Sequence, residues 1–334
     1  MHHTRRTIVA ALLAAGALPA LPAGSIAEER PLEIAMLIPG KIDDGGFMEA
    51  GYDALVAIHD QLGAETRYID GIAPEPEALA AALRELAAAG PDMVIAHGGQ
   101  NAKAVEAVAP EFPDVRFTVV QGAVTGPNVA SYEVRQEDSA WLAGAAAGML
   151  TKTGVVGHIS GIRVPPGLKG RGAFYHGLQH TNPDAKFLTI FAGNQDDNEL
   201  SYKVAAAEAD AGADIIFTML NAGRTGAIEA MREKGVHQIG NVRDWYPDAP
   251  DVFIASAIAN VSIPGLQATK DLAEGKWQPG TVRQIGLENP QAVSLALAPD
   301  VPEAVRTKIA DLSADIVSGK IKVEVDYDGE ELQP

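Results

Sequence analysis

Cysteine is absent from the 334-residue chain. That excludes disulfides, thiol nucleophiles, Cys-ligated zinc or iron–sulfur centres and a Cys-borne lipid. Basic residues are scarce, with 26 Lys and Arg against 44 Asp and Glu and a formal charge of −18. Such a balance repels phosphate backbones and anionic headgroups, so neither nucleic acid nor direct membrane insertion is expected. The eight histidines are scattered, and no metal or cofactor is expected. Past the amino-terminal segment, no apolar run reaches the roughly 18 residues that would cross a bilayer. What is present is a chain 47% hydrophobic and 21% charged, enough for a sizeable core. At roughly 150 residues per domain, its length suggests two domains.

The first 27 residues read as a secretory signal. Arg5 and Arg6 precede a short apolar run from Ile8 to Leu18, and Ser25-Ile26-Ala27 offers small residues for cleavage after Ala27. The Thr4-Arg5-Arg6-Thr7 segment also resembles a twin-arginine signal, so export by the Sec or the Tat route is open. Cleavage removes two arginines and no acid, leaving a still more acidic chain expected to be free in the periplasm.

From Leu32 onward, short apolar runs alternate with helical patterns. Strands are predicted at 32–38, 66–69, 93–96 and 115–120, with helices between them. Leu79, Leu83 and Leu86 share one helical face, and Gly63 and Gly90 act as stops. The series restarts with a small-residue helix over 138–152, where Trp141 is read as a core anchor. Strands at 155–159, 187–191, 215–220 and 237–242 follow. A third stretch carries a strand at 252–258, a helix over 264–275, strands at 282–287 and 293–297, and a last helix stopped at Gly319. Two parallel-sheet blocks joined by several short crossings imply two hinged α/β lobes with a ligand cleft at the strands' carboxyl ends. The predicted lobes are 32–132 plus about 258–287, and 133–257 plus about 290–325.

Enzyme motifs are wanting. Gly157-His158-Ile159-Ser160-Gly161 has the wrong spacing for a nucleophile elbow, and Gly167 to Gly172 lacks the dinucleotide-binding order. His97, at a strand end, has a functional and a plain core reading, and the core reading is preferred.

Asp43-Asp44-Gly45-Gly46-Phe47, Gln136-Glu137-Asp138-Ser139-Ala140-Trp141-Leu142-Ala143-Gly144 and Thr151-Lys152-Thr153-Gly154 resemble segments of the basic membrane protein family. Phe112 to Phe117 and Gly212 to Phe217 fit two more of its segments, in order, and the resemblance spans 32–325. These are substrate-binding proteins of ABC importers, many specific for purine nucleosides. The resemblance implies a type I periplasmic-binding-protein fold that closes on a small ligand and delivers it to a membrane permease. It implies no catalysis, and the protein is expected to be monomeric.

The same resemblance places Phe47 where a ring stacks on the purine, and the alternative is a core residue at a helix start. Asp44 is a ligand contact or a helix cap. Gln100, after Gly98-Gly99, offers an amide to a base edge or closes a simple turn. Glu137 binds a ligand N–H or pins the hinge. In the second lobe Gln195 stands where the family has its second aromatic, beside Asp197. Val242 replaces the acid assigned to the sugar hydroxyls, next to Asp244, and Ala259 replaces a lysine. These losses suggest a missing ribose subsite, and Trp245 or Tyr246 would fill it or replace the lost stacking ring. Asn221 and Arg224 follow a strand end. Arg224 either grips an oxo or carboxylate group or makes a surface ion pair. The expected ligand is a nucleobase rather than a nucleoside, with a sugar or another small polar metabolite as the alternative.

Overall fold

The computed structural model describes residues 30–333; the predicted signal lies outside them. The strands are β1 (Glu33–Ile38), β2 (Glu65–Asp70), β3 (Met93–His97), β4 (Arg116–Val120), β5 (Val129–Val134), β6 (Val155–Ser160), β7 (Lys186–Phe187), β8 (Ile190–Phe191), β9 (Ile215–Met219), β10 (His237–Val242), β11 (Phe253–Ala259), β12 (Val282–Ile285) and β13 (Val293–Leu297). The α-helices are α1 (Phe47–Leu62), α2 (Pro76–Ala88), α3 (Ala102–Val108), α4 (Gln136–Leu150), α5 (Pro165–Thr181), α6 (Asn198–Asp210), α7 (Arg224–Lys234), α8 (Ser262–Ala273) and α9 (Glu303–Val317).

They form two sheets, one per lobe. The first runs β12-β5-β4-β3-β1-β2 and is parallel throughout. The second runs β13-β11-β10-β9-β6-β7, with β8 also on β6, and only β13 is antiparallel. Each central strand is buried on both faces, as a parallel sheet requires. In β1, Ala35 and Leu37 pack with Leu79 and Leu83 of α2, while Ile34, Met36 and Ile38 pack with Leu55 and Ile58 of α1. In β9, Phe217 joins Phe174 of α5, and Ile216 joins Met231 of α7.

Two strand expectations need correcting. β5 was not predicted, because Val129-Ala130-Ser131-Tyr132 follows β4 without an intervening helix and its polar residues mask the apolar run. It nevertheless pairs parallel to β4 after a short return loop. The single strand over 187–191 is two short pieces in one register on β6, with Leu188 between them still bonded to Val156 and His158.

The chain crosses between sheets after β5, after β11 and after β12, and the crossings are stitched together. Arg135 N–H donates to Ile285 O at 2.8 Å, and Asn260 N–H to Ala292 O at 2.8 Å. In the second lobe α4 and α5 meet at backbone distance: a Cβ on Gly144 would stand 1.9 Å from Phe174 O, and one on Gly177 1.9 Å from Trp141 O. The small residues of α4 are therefore a packing requirement, and Trp141 is buried beside them as expected. After α9, residues 321–333 cross α5 without regular structure, and Glu331 pairs with Arg163 and Arg171.

Glu208 of α6 is fully buried, and a Cβ on Gly157 would stand 2.2 Å from its Oε2. Burial raises its pKa well above the ordinary carboxyl value, so the folded state holds the acid neutral. Stability from such a group is complete below the unfolded pKa and is lost as pH rises through the folded one. Glu208→Gln is therefore expected to raise the thermal midpoint at pH 8 and to gain much less at pH 4, read by calorimetry at both values. Gly177→Ala should destabilise the protein by about 3 kcal/mol or more, measured by urea unfolding, because the two helices cannot separate without opening the lobe core.

Candidate functional site

The parallel order sends the carboxyl ends of β1, β3 and β4 in one lobe, and of β6, β9 and β10 in the other, to the same edge of each sheet. That edge is where Asp44 and Phe47 follow β1 and where Asn221 follows β9. Asp44 acts first as a cap: Oδ1 accepts from Gly46 N–H at 2.8 Å and Glu49 N–H at 3.1 Å, and Oδ2 from Met48 N–H at 3.1 Å. These are donors that the first turn of a helix leaves orphaned. Oδ2 also accepts from Asn221 Nδ2, at 3.2 Å, across the gap from the second lobe. The cap reading of Asp44 fits, and the capping geometry leaves a lone pair directed at the other lobe. Asn221 Oδ1 also lies close to Gly46, where a Cβ would stand 3.0 Å from it.

Phe47 is the first residue of α1 and is half-buried. It packs at the margin of the cluster around β1 and α1 and of a second cluster, built mainly from α4, α5 and the second sheet, that also takes in Ala50 of α1. One flank is covered by His97, with centroids 4.6 Å apart and a tilt of 43°. His97 is wholly buried, and its Nε2 lies 2.7 Å from Phe47 O. A carbonyl only accepts, so Nε2 carries the proton and Nδ1 is left bare in the interior, where it has no partner. Burial lowers the His97 pKa to about 4, which keeps the ring neutral. The core reading of His97 therefore fits, with the added role of anchoring the Phe47 backbone.

The remaining predicted residues divide into four groups. Gln100 is exposed at the end of β3, folded back over Gly98, where a Cβ would stand 2.3 Å from its Oε1. Glu137, in the first turn of α4, faces Lys169 of α5 at 3.8 Å rather than backbone amides at the hinge. Asp197 and Asp244 are exposed and spend an oxygen locally. Asp197 caps α6 through Leu200 N–H at 3.0 Å, and Asp244 accepts from Tyr246 N–H at 3.1 Å.

Arg224 and Trp245 are turned into the second lobe instead. Arg224 is 3% exposed and makes no surface ion pair. It donates to Thr218 Oγ1 at 2.8 Å, to Leu220 O and to Asn241 Oδ1. Burial and the nearby Arg243 lower its pKa to about 9. Trp245 is buried with Phe253, its ring beneath the guanidinium groups of Arg224 and Arg243. It does not take the place of the lost stacking ring. Gln195 is held by its carbonyl, which accepts from Asn221 and Gly223 N–H.

Sequence reasoning passed over Gln121, whose left-handed φ of 57° sits at the end of β4. Its side chain accepts from Val134 N–H at 2.6 Å and donates to Val134 O at 3.3 Å, tying the cleft edge to the first crossing. No pattern in the chain marks a glutamine for that conformation. The histidines are less scattered than expected, because His176 and His180 form an i, i+4 pair on α5. Its members are engaged separately, His176 with Asp326 O and His180 with the Trp141 ring. Among the described residues no group of three metal-capable side chains forms.

A family model for PnrA-like ABC transporter substrate-binding proteins matches residues 32–326. The chain is 24% identical over 303 residues to a purine-binding protein of Brucella abortus (strain 2308), covering 89% of this chain and 84% of that one. It is also 24% identical over 316 residues to basic membrane protein A of Borreliella burgdorferi, covering 90% and 92%. Among solved structures, an ABC transporter solute-binding protein from Aeropyrum pernix K1 superposes with a TM-score of 0.78 at 20% identity, over 89% of this chain and 94% of that one, which shows the shared two-lobed fold. On the extent of that match, the chain belongs to the Bmp family of PnrA-like ABC transporter substrate-binding proteins.

Proposed function

We propose that the protein is the periplasmic receptor of an ABC importer, that it binds a planar, nucleobase-like molecule between its lobes, and that it catalyses nothing. The observation that carries this reading is Phe47. A half-buried phenyl ring stands at the cleft end of β1, at the margin of two apolar clusters, with its backbone anchored through His97. A ring so placed offers a face to a flat heterocycle, worth about 0.5–1.5 kcal/mol beyond the area it buries. The Brucella relative named for purine binding supports the same ligand class.

The preference for a base over a nucleoside rests on the second lobe. Val242 and Ala259 stand where the resemblance places an acid and a lysine, so hydroxyl-binding groups are lacking there. Polar ribose hydroxyls brought against apolar side chains would lose their hydrogen bonds to water. The lobes divide at the three crossings, near 135, 260 and 286–292, and the Asp44–Asn221 bond lies across the gap they leave. Closure around an occupant would present the permease with a shape the empty receptor holds less often. The exported chain is taken to act as a monomer, without nucleic acid or membrane insertion.

A thermal-shift panel tests the ligand class. Adenine, hypoxanthine and guanine are expected to raise the midpoint more than their nucleosides, and glucose and organic acids to leave it unchanged. At 100 times its Kd a ligand stabilises by about 2.7 kcal/mol. A larger shift from glucose would put the sugar receptor in place of this reading. Phe47→Ala should abolish the shift from free bases while the apo protein still unfolds cooperatively. Asn221→Ala is expected to leave apo stability within about 0.5 kcal/mol, as for a partly exposed polar contact. By titration calorimetry it should weaken base binding severalfold, since the bond it removes lies across the gap.

A further inference from the structure

The geometry points to Arg224, Trp245 and Arg243 as positioning residues: they clamp the turn that ends β10, so that Val242 is presented to the cleft as a residue that sets ligand choice. The second half of this rests on the nucleobase reading above. Val242 has φ of 72°, a left-handed backbone that a β-branched residue rarely adopts. The turn is closed over three residues, with Arg243 N–H donating to Asn241 O at 2.9 Å. Strain of this kind persists only where its surroundings over-determine it, and such places cluster at functional sites.

Here the surroundings are explicit. The carbonyl of Asn241 accepts a second donor, the Trp245 indole N–H at 2.8 Å, and its side-chain oxygen accepts from Arg224. Arg224 is itself anchored on Thr218 Oγ1 and Leu220 O. The Trp245 backbone N–H is held by Ser256 Oγ at 3.0 Å. The Arg243 guanidinium carbon lies 3.6 Å from the indole centroid, and Arg224's lies 4.2 Å from it. Arg243 also reaches Asp248 at 2.6 Å. Asn241, the residue just before the strained position, thus accepts three donors.

A purely structural core has no need of this arrangement. A buried guanidinium facing only neutral acceptors and an indole costs more than apolar residues of the same volume. The turn also lies at the functional edge. β10 pairs with β9, and the residue that follows β9 by two, Asn221, touches Asp44 of the other lobe. Val242 is half-buried there. Among the described residues the other non-glycine at positive φ is Gln121, at the corresponding end of β4 in the first lobe.

A mutant cycle tests the clamp without any ligand. Val242→Gly should raise the thermal midpoint by about 2 °C, because glycine adopts this φ freely. Trp245→Leu should lower the midpoint in either background, but by clearly less with the native Val242, because loss of the clamp lets that strained residue relax whereas glycine has no strain to recover. Equal lowering in the two backgrounds, or a lower midpoint for Val242→Gly alone, would overturn the clamp. Ligand choice is then read by titrating adenine and adenosine. Val242→Gly should reduce the adenine-over-adenosine preference about tenfold, the scale on which a few apolar carbons in a pocket discriminate. An unchanged ratio would sink the specificity role. If neither compound bound the native protein, the nucleobase reading would fall, and the cycle would still decide whether the turn is clamped.

Discussion

A single carboxylate organises the cleft. Asp44 accepts three backbone N–H groups at the start of α1 and a fourth donor from Asn221 in the opposite lobe. The first three bonds fix where α1 begins, and Phe47 is its first residue. The fourth ties that helix start to the loop after β9. Removing the carboxylate would therefore disturb the ring, the helix and the interlobe contact together. Charge-assisted bonds to backbone amides are among the stronger that a folded chain makes, so the ring is held by its backbone rather than by packing alone. His97 completes the fixation from the far side, through the Phe47 carbonyl.

Parallel topology explains why these groups meet. Apart from the antiparallel β13, each sheet has its strands' carboxyl ends along one edge, so the loops that follow these strands are delivered to the same rim. Three crossings then hold the two rims face to face. They are bonded to one another through Arg135 and Ile285 and through Asn260 and Ala292, and to the cleft through Gln121. The hinge and the first-lobe wall are consequently not independent, because Gln121 serves both. A displacement of Val134 would be felt at the end of β4.

Most elements were legible in the chain because their period is simple. Leu79, Leu83 and Leu86 recur at helical spacing, and β1, β3 and β9 are short apolar runs bounded by turns. β5 was not, since Ser131 and Glu133 break its apolar run and its pairing depends on a neighbour far along the chain at β12. In the cleft, Phe47 and Asp44 were legible because a family motif marks them. The fates of Arg224 and Trp245 were not. Their sequence position, just after a strand, is the same for a side chain that enters the cleft as for one that folds back beneath α7. Only the acceptors at Thr218, Leu220 and Asn241 decide between those directions, and they lie on two segments, the end of β9 and the end of β10. The left-handed turns at Gln121 and Val242 were equally hidden, since neither residue type advertises such a backbone.

The two walls of the cleft differ in kind. The first lobe offers a ring, a capped carboxylate and the exposed Gln100 amide, each held close to a strand end. The second lobe contributes Asn221 directly, while its two arginines near β10 are already engaged: Arg224 inward on neutral acceptors, and the exposed Arg243 on Asp248 and the indole. On the proposed reading, recognition of the flat ligand belongs to the first lobe, and the second supplies closure and shape. An apolar side chain on a rigid turn suits that division. It excludes by volume and asks nothing of the ligand's hydrogen-bonding groups, so discrimination there depends on how firmly the backbone is held. That is a reason for a lobe to bury an arginine with no acid beside it, at a cost that a loosely held turn would not justify.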